Sequence, residues 1–302
     1  MNQHQQDLFT KVISCLPQLP RTSWSPKISK SDNQTRDGNL NTKTTFGGNN
    51  PFRPDNFVWP ICDECNAHKG FVCQINVEKL PSLFKEKISR TTGLFQLFYC
   101  LECMPLNCFK DMKFIPTSEF VPSLKSLAAQ KVSKKKVKKK ELPLQLLNYL
   151  EDYTEDVPQS VVLSDKLDQI MVDVWIENPL MEIPLVCEFG DVYEEKIKRI
   201  ANLGVEDMRE FYECLEDETL LEENTGFQNV ITPYSGIKLG GFIRWCQYTE
   251  YPTCPDCNVE MNVVFLQLEE DPVYQFMWGD CGTGHVTLCP NCGRPGLSWA
   301  CS

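Results

Sequence analysis

The sequence predicts an α+β, mainly β protein with two duplicated, pseudo-symmetric β-rich lobes and a middle segment that contains acidic helices. Three observations support this prediction. Pairs of cysteines with the spacing Cys-x-x-Cys occur in two sets, one in each half of the chain. The residues around the two sets follow a similar order of glycine, apolar and glutamine positions. Between the sets lies a carboxylate-rich segment whose apolar residues recur with helical spacing.

The clearer set of cysteines lies near the C-terminal end of the chain. Cys254-Pro-Asp-Cys257 is followed, after 31 residues, by Cys289-Pro-Asn-Cys292. Two residues between cysteines let one tight turn present both sulfurs to one ion, and two such turns complete a tetrahedron. Because the N-terminus lacks the pattern of a signal peptide, we expect reduced thiols and a zinc-ribbon-like site with four cysteine ligands here.

The earlier set repeats this pattern. Cys62-Asp-Glu-Cys65 is followed, after 34 residues, by Cys100-Leu-Glu-Cys103. A closed four-sulfur site leaves no coordination position for water, so we predict two structural zinc ions rather than catalytic ones. The predicted ligands are Cys62, Cys65, Cys100, Cys103, Cys254, Cys257, Cys289 and Cys292. The alternatives that the spacing leaves open are Cys73, Cys108, Cys281 and Cys301.

Two glutamines occupy equivalent places inside apolar strand sequences. Gln74 lies in Gly70-Phe-Val-Cys-Gln-Ile-Asn, and Gln267 lies in Val263-Val-Phe-Leu-Gln-Leu. A buried amide must find hydrogen-bond partners. We expect each glutamine either to bond a neighbouring loop or to hold the backbone of a bound peptide.

The charge is unevenly distributed along the chain. The net charge is -11, and residues 141–225 contain 23 acidic and five basic side chains. Two helices are predicted there, each with one apolar stripe that faces the core. Their stripes are Tyr193, Ile197 and Ile200 in the first helix, and Met208, Phe211, Tyr212 and Leu215 in the second. We divide the chain into an N-terminal helix and polar loop, a first lobe, a lysine-rich linker, the acidic middle segment and a second lobe. Their ranges are 1–43, 44–128, 129–141, 142–230 and 231–302.

The charge also bears on partners and location. Residues 131–140 read KVSKKKVKKK, which is typical of a solvated loop and is alternatively a nuclear-localisation signal. A chain this acidic is a poor candidate for tight sequence-independent binding of nucleic acid, which depends on neutralising phosphates. No apolar run approaches the length of a membrane span. We therefore expect a cytoplasmic or nuclear protein.

Enzymatic patterns are weak. The chain has only three histidines, and the spacing of His285 from Cys281 gives little support for a nucleophilic dyad. The glycines of Gly279-Asp-Cys-Gly-Thr-Gly284 lie within strand sequence, which favours a turn or bulge over a phosphate cradle. We predict that the protein is not an enzyme.

Several short motifs resemble the YwqG-like domain family. They are Phe46-Gly-Gly, Trp59-Pro-x-Cys-x-x-Cys65, Gln74-Ile-Asn76, Gly93-Leu-Phe-Gln-Leu-Phe98, Lys238-Leu-Gly-Gly241, Tyr251-Pro-Thr-Cys-Pro-Asp-Cys257 and Trp278-Gly-Asp-x-Gly282. The first set is also similar to the programmed cell death protein 2 family. The resemblance implies duplicated, zinc-containing β-rich lobes and a protein-interaction or chaperone-like role. The lysine run at 131–140 and the acidic middle segment depart from the family pattern.

The function that follows is a non-enzymatic, zinc-stabilised interaction or chaperone-like module. Its expected partner is an extended or basic protein client, and the second family implies a ribosomal protein. The alternative is a zinc-ribbon protein that binds nucleic acid through the lysine run and exposed aromatic residues. The predicted binding residues are Gln74, Gln267, Trp59, Trp245, Trp278 and Asp280.

Overall fold

The architecture is that of a computed structural model of the 302-residue chain. The structure describes residues 2–5, 7–8, 11, 21–30, 42–47, 51–54, 57–100, 102–105, 107–110, 112–120, 170–179, 181–182, 202–216, 230–231, 233–269, 278–279 and 282–301. The lysine run at 131–140, Asp280 and Cys281 lie outside these residues, as does the predicted helix with Tyr193, Ile197 and Ile200.

Short strands dominate the secondary structure. In chain order they are β1 (Ser23–Lys30), β2 (Thr45–Phe46), β3 (Gly70–Asn76), β4 (Leu94–Tyr99), β5 (Asn107–Cys108), β6 (Met112–Ile115), β7 (Ile170–Glu177), β8 (Met181–Glu182), β9 (Val230–Ile231), β10 (Lys238–Gly240), β11 (Val263–Glu269), β12 (Thr283–Leu288) and β13 (Pro295–Ala300). Among the described residues, the α-helices include α1 (Ser82–Lys87) and α2 (Val205–Glu216), and short 3-10 helices span Val77–Lys79 and Thr117–Phe120. Residues 3–5 and 7–8 are also helical. The prediction of a mainly β protein is confirmed.

The chain divides into two compact units. The split unit contains Met1–Pro26 and Trp175–Ser302, and the continuous unit contains Lys27–Val174. The boundaries fall inside β1 and β7. The five segments predicted from the sequence remain a prediction.

The sheet of the continuous unit has the strand order β7, β2, β3, β4 and β6, and its adjacent strands run antiparallel. Every residue of β3 and β4 is buried, so both faces of these strands are covered. Their near-continuous apolar sequences match this burial. A register shift between Phe71 and Cys73 interrupts the pairing of β3 with β4.

The sheet of the split unit has the strand order β1, β10, β11, β12 and β13, also antiparallel. The centre of β11 and the whole of β12 are buried. A register shift lies between Val264 and Leu266. Strands β8 and β9 form a separate parallel pair in this unit.

Helix α2 spans the four residues of the second predicted stripe, of which Phe211 is the one whose burial the structure describes. Phe211 is fully buried, while Glu206, Arg209 and Glu213 are exposed. Arg209 forms ion pairs with both Glu206 and Glu213 on that outer face. Within the described part of the chain, every helix is too short or too polar to cross a membrane.

Candidate metal centres

The cysteines come together in two groups of four. Cys62, Cys65, Cys100 and Cys103 form one group in the continuous unit, and their sulfurs all lie within 4.8 Å of one another. The Cys62 and Cys103 sulfurs are 3.8 Å apart, and those of Cys65 and Cys100 are 3.6 Å apart. All four are free thiols.

The second group meets the same distance limit in the split unit. It consists of Cys254, Cys257, Cys289 and Cys292, and all four are free thiols. The sulfurs of Cys254 and Cys292 are 3.7 Å apart. Four sulfurs around zinc at about 2.3 Å define a tetrahedron with edges of about 3.8 Å. Each group could therefore hold a metal ion that prefers thiolate ligands.

The strands deliver the sulfurs in the same way in both units. Cys62 and Cys65 lie in a small loop closed by a backbone bridge between Ile61 and His68, just before β3. Cys100 follows the last residue of β4. In the split unit, a bridge between Thr253 and Glu260 closes the first loop. Cys289 directly follows β12, and Cys292 leads into β13.

All four cysteine turns share one backbone geometry. The residue four positions after the first cysteine has a positive φ and donates its backbone N–H to the carbonyl of that cysteine. These residues and donor–acceptor distances are Asn66 (3.0 Å), Met104 (3.1 Å), Asn258 (2.8 Å) and Gly293 (2.9 Å). Asparagine and glycine tolerate this left-handed conformation, whereas methionine rarely adopts it. The turn that contains Met104 therefore has the most strained backbone conformation of the four.

Backbone N–H groups favour the thiolate form at one cysteine of each group. The N–H of Cys65, and to a lesser extent that of Glu64, lowers the pKa of Cys62 to about 7, although burial opposes the shift. Burial alone would raise the pKa of Cys289, but the N–H groups of Cys292 and Asn291 lower it to about 7. Such thiolates are prepared for a cation, since the thiolate is the metal-binding form.

Other thiols in the groups keep their protons. A hydrogen bond with the Cys65 sulfur raises the pKa of Cys103 to about 12. A hydrogen bond with the Cys292 sulfur similarly raises the pKa of Cys257 to about 12. Four sulfurs at this separation cannot all ionise cheaply without a cation. A bound metal would displace these protons.

An ion pair lies beside each group. Asp63, inside the first cysteine turn, contacts Lys110 with an N–O distance of 2.8 Å. Asp256, inside the third turn, pairs with Arg294, which follows the fourth turn. Asp256 raises the pKa of Arg294, and the Cys254 and Cys292 sulfurs add to this effect. The second pair links the two turns of its group, whereas Lys110 lies just after β5 and outside the second turn of the first group. The exposure of both pairs limits their effect on stability.

Of the alternative ligands, Cys73, Cys108 and Cys301 are not part of either group. Cys73 is fully buried within β3, and burial raises the pKa of its thiol. Cys108 is buried, and Cys301 is half-buried. Cys281 lies outside the described residues. Among the residues that the structure describes, the two groups contain only the eight cysteines predicted as ligands.

Gln74 and Gln267 hold loops of their own chain. Gln74 accepts the backbone N–H of Phe52 at 2.8 Å and donates to the carbonyl of Lys43. Gln267 accepts the N–H of Arg244 at 2.8 Å and donates to the carbonyls of Tyr234 and Gly236. Both side chains are fully buried. An outside peptide would have to displace these bonds, so the geometry favours the first of the two predicted roles.

The predicted tryptophans are also largely enclosed. Trp59 donates from Nε1 to the carbonyl of Lys69 at 2.7 Å and packs with Phe71 and Phe98. Trp245 packs with Ile243 and Val264. Their exposed fractions are 7% each.

Trp278 explains two glycines of its motif. A Cβ atom on Gly284 would lie 2.5 Å from Cε2 of the Trp278 ring, and one on Gly282 would overlap the Trp278 carbonyl. Only glycine allows this close approach. Trp278 is 2% exposed, and Asp280 lies outside the described residues.

The split unit contains a buried ion pair that was not predicted from the sequence. Lys238 donates from Nζ to both carboxylate oxygens of Glu182, at 2.7 and 2.6 Å, and to the carbonyl of Phe242 at 2.6 Å. Glu182 also accepts the backbone N–H groups of Phe242 and Tyr234. Neither side chain is exposed. A Cβ atom on Gly241 would overlap the carboxylate of Glu182, which accounts for the glycine after Lys238-Leu-Gly. The available signal was a lysine directly followed by an apolar residue and a Gly-Gly pair, at the start of β10.

Comparison with known proteins places the chain in a family. The model of a family described as a domain of unknown function (DUF1963) matches residues 44–291. The chain therefore belongs to this family. No curated protein matches it.

Proposed function

We propose that this member of the DUF1963 family is a non-enzymatic, zinc-stabilised module that binds an extended or basic segment of a protein client. The observation that carries the proposal is the pair of closed four-sulfur groups. A metal held by four thiolates has no position for a substrate or a reactive water, so it stabilises the fold. Binding zinc to such a site contributes on the order of 10 kcal/mol to folding.

We also infer that the two units are duplicates. Each contains a short strand, a Cys-x-x-Cys loop, two long buried strands, a second Cys-x-x-Cys turn and a further strand, in that order. The register shifts of β3 and β11 lie at corresponding places, as do Gln74 and Gln267. This agreement also supports treating the YwqG-like resemblance and the matched family as one. The similarity to the programmed cell death protein 2 family remains a prediction.

The charge of the chain supports a basic client. The net charge is -11, and the side chains of Glu206 and Glu213 on α2 are 77% and 66% exposed. Complementary charge increases the rate and selectivity of association more than it increases affinity. A basic segment, such as one from a ribosomal protein, would complement this surface.

The histidine in the interior does not support an enzymatic role. His285 is fully buried, and burial lowers its pKa to about 3. A general base must be able to reach the proton that it abstracts. His285 would therefore act poorly on a substrate from solution.

Metal analysis tests the scaffold. We expect two zinc ions per full-length chain after purification without added metal. Tetrahedral sulfur sites also suit iron. Iron in place of zinc, or fewer than two ions, would contradict the zinc assignment.

Crosslinking in cell extract, followed by identification of partners, tests the client. We expect basic proteins to be enriched by the native chain and released by salt. A Glu206→Lys/Glu213→Lys variant should lose most of this enrichment. The matched control is Glu78→Lys/Glu86→Lys, which makes the same charge change at exposed positions of the continuous unit.

Three outcomes would count against the client proposal. The first is equal enrichment by both variants, and the second is absence of basic partners at any salt concentration. The third is recovery of nucleic acid that disappears when residues 131–140 are deleted, which would support the nucleic-acid alternative.

A further inference from the structure

A row of polar residues crosses one face of the sheet in the split unit. Lys238 lies opposite Gln267, Gln267 lies opposite His285, and His285 lies opposite Ser298. Directly opposed residues of antiparallel strands project to the same face. All four are buried. Lys238 and Gln267 have the full sets of hydrogen bonds described above.

The other end of this row differs. Both ring nitrogens of His285 and the hydroxyl of Ser298 have no hydrogen-bond partner among the described residues. The same holds for the hydroxyl of Thr287 and for Nε1 of Trp245. Thr287 follows His285 by two positions in β12, so it lies on the same face. The Trp245 and His285 rings are 5.0 Å apart. We call these four residues the His285 cluster.

The His285 cluster is enclosed. His285 and Thr287 are fully buried, and Trp245 and Ser298 are each 7% exposed. Buried polar atoms in native proteins are almost always hydrogen-bonded, either to protein or to ordered water. Five such atoms in one place therefore require further hydrogen-bond partners.

The scaffold itself does not require this arrangement. Counting back from the second cysteine turn of each unit, Gln96 corresponds to His285 and Phe98 to Thr287. Gln96 donates to the carbonyl of Phe52 and to Oε1 of Gln74. Phe98 packs against Trp59 in an apolar cluster. Among the described residues, Gln96 and Phe98 therefore leave one polar atom without a hydrogen-bond partner, Gln96 Oε1, where His285 and Thr287 leave three.

The chemistry of the His285 cluster restricts its ligand. Burial, with a smaller effect of the Lys238 charge, keeps His285 neutral, because its pKa is lowered to about 3. A neutral imidazole offers one donor and one acceptor, each hydroxyl offers both, and the indole offers a donor. A matching ligand must be uncharged and able both to donate and to accept. It must also be small, since the cluster has almost no exposed surface.

We propose that the His285 cluster is an internal binding site for ordered water in the split unit. Buried waters typically make about three hydrogen bonds to polar groups that otherwise lack partners. Water bridging His285 and Ser298, with Thr287 and Trp245 as further partners, would supply hydrogen bonds to the polar atoms at this end of the row. This site would be part of the folded structure and independent of any client.

A crystal structure of the zinc-loaded full chain, at a resolution that shows ordered water, tests the site directly. We expect water density within hydrogen-bond distance of a His285 ring nitrogen and of Ser298 Oγ. In solution, we expect a nuclear Overhauser effect between bound water and the Trp245 indole N–H. Absence of both signals would overturn the proposal.

Deleting one hydroxyl of the cluster provides a second test, because the stability should change in opposite directions for a hydrated and for a dry cluster. If water is bound, Thr287→Val removes one of its partners and should lower the folding equilibrium constant on the order of fivefold. If the cluster is dry, the same change removes an unsatisfied hydroxyl and should raise that constant. Thr92→Val, at an exposed position, is the matched control. An unchanged or larger constant for Thr287→Val would contradict the hydrated site. If Thr287→Val does not fold, the crystal and NMR measurements on the native chain still decide.

Discussion

Breaking the buried ion pair of the split unit should be among the most damaging single changes in this chain. In Lys238→Met, Glu182 would keep its two backbone donors but lose the ammonium group that contacts both of its oxygens. The carbonyl of Phe242 would also lose its bond from Lys238. Removing one partner of a fully buried pair typically costs about 3–5 kcal/mol, because an uncompensated charge stays behind. A typical domain has about 5–15 kcal/mol of stability in total, so this loss would bring the unit close to unfolding.

Hydrogen exchange measures this effect within the split unit alone. Amides in β10 and β11 of zinc-loaded Lys238→Met should exchange on the order of a hundredfold to a thousandfold faster than in the native chain. Lys79→Met, at an exposed position, should leave those rates unchanged. The double variant Lys238→Met/Glu182→Leu should recover part of the loss, since no charge remains buried. A single-variant cost below about 1 kcal/mol, or a double variant worse than the single one, would refute the reasoning.

Three further predictions concern the metal groups and the loops. The pKa values of Cys103 and Cys257 are raised to about 12, so both thiols are protonated at neutral pH. Zinc binding should therefore release protons, and the affinity for zinc should increase as the pH rises. An indicator assay that detects no proton release would contradict this. Cys254→Ser should retain one zinc ion instead of two, whereas Cys73→Ala should retain both, as metal analysis would show. Gln267→Leu leaves three backbone groups without their partner and should cost about 1–3 kcal/mol in urea unfolding; an unchanged midpoint would exclude an anchoring role.

The sequence was most informative where chemistry imposes spacing. Two residues between cysteines are needed for one turn to present both sulfurs, so the pairs at Cys254 and Cys289 stand out in the printed sequence. The buried strands could also be predicted, since the apolar sequence from Gly70 to Asn76 forms β3 with the same first and last residues. Local constraints of this kind are visible without a structure.

The sequence was least informative where partners are distant along the chain. Glu182 and Lys238 are 56 residues apart, and nothing near Glu182 distinguishes it from the other acids of the segment. The burial of Trp59 and Trp245 was likewise not predicted, although it weakens the case for a binding role. Their burial depends on which loops fold over them. Such contacts are set by strand register and loop path, which pattern alone does not determine.

The two units share the parts that their folding needs and differ in the polar row. Both keep the cysteine turns and a glutamine that anchors the loop after a Gly-Gly pair. Where the continuous unit has Thr45 and Gln96, however, the split unit has Lys238 and His285. The cysteine groups and the glutamines therefore account for a scaffold that both units can form. The ion pair of Lys238 and the His285 cluster are additions to that scaffold. Burying their charged and polar groups costs free energy unless specific hydrogen-bond partners compensate it. A property that distinguishes one unit from the other should consequently be sought along this row, by exchanging its residues between the units, rather than at the cysteines.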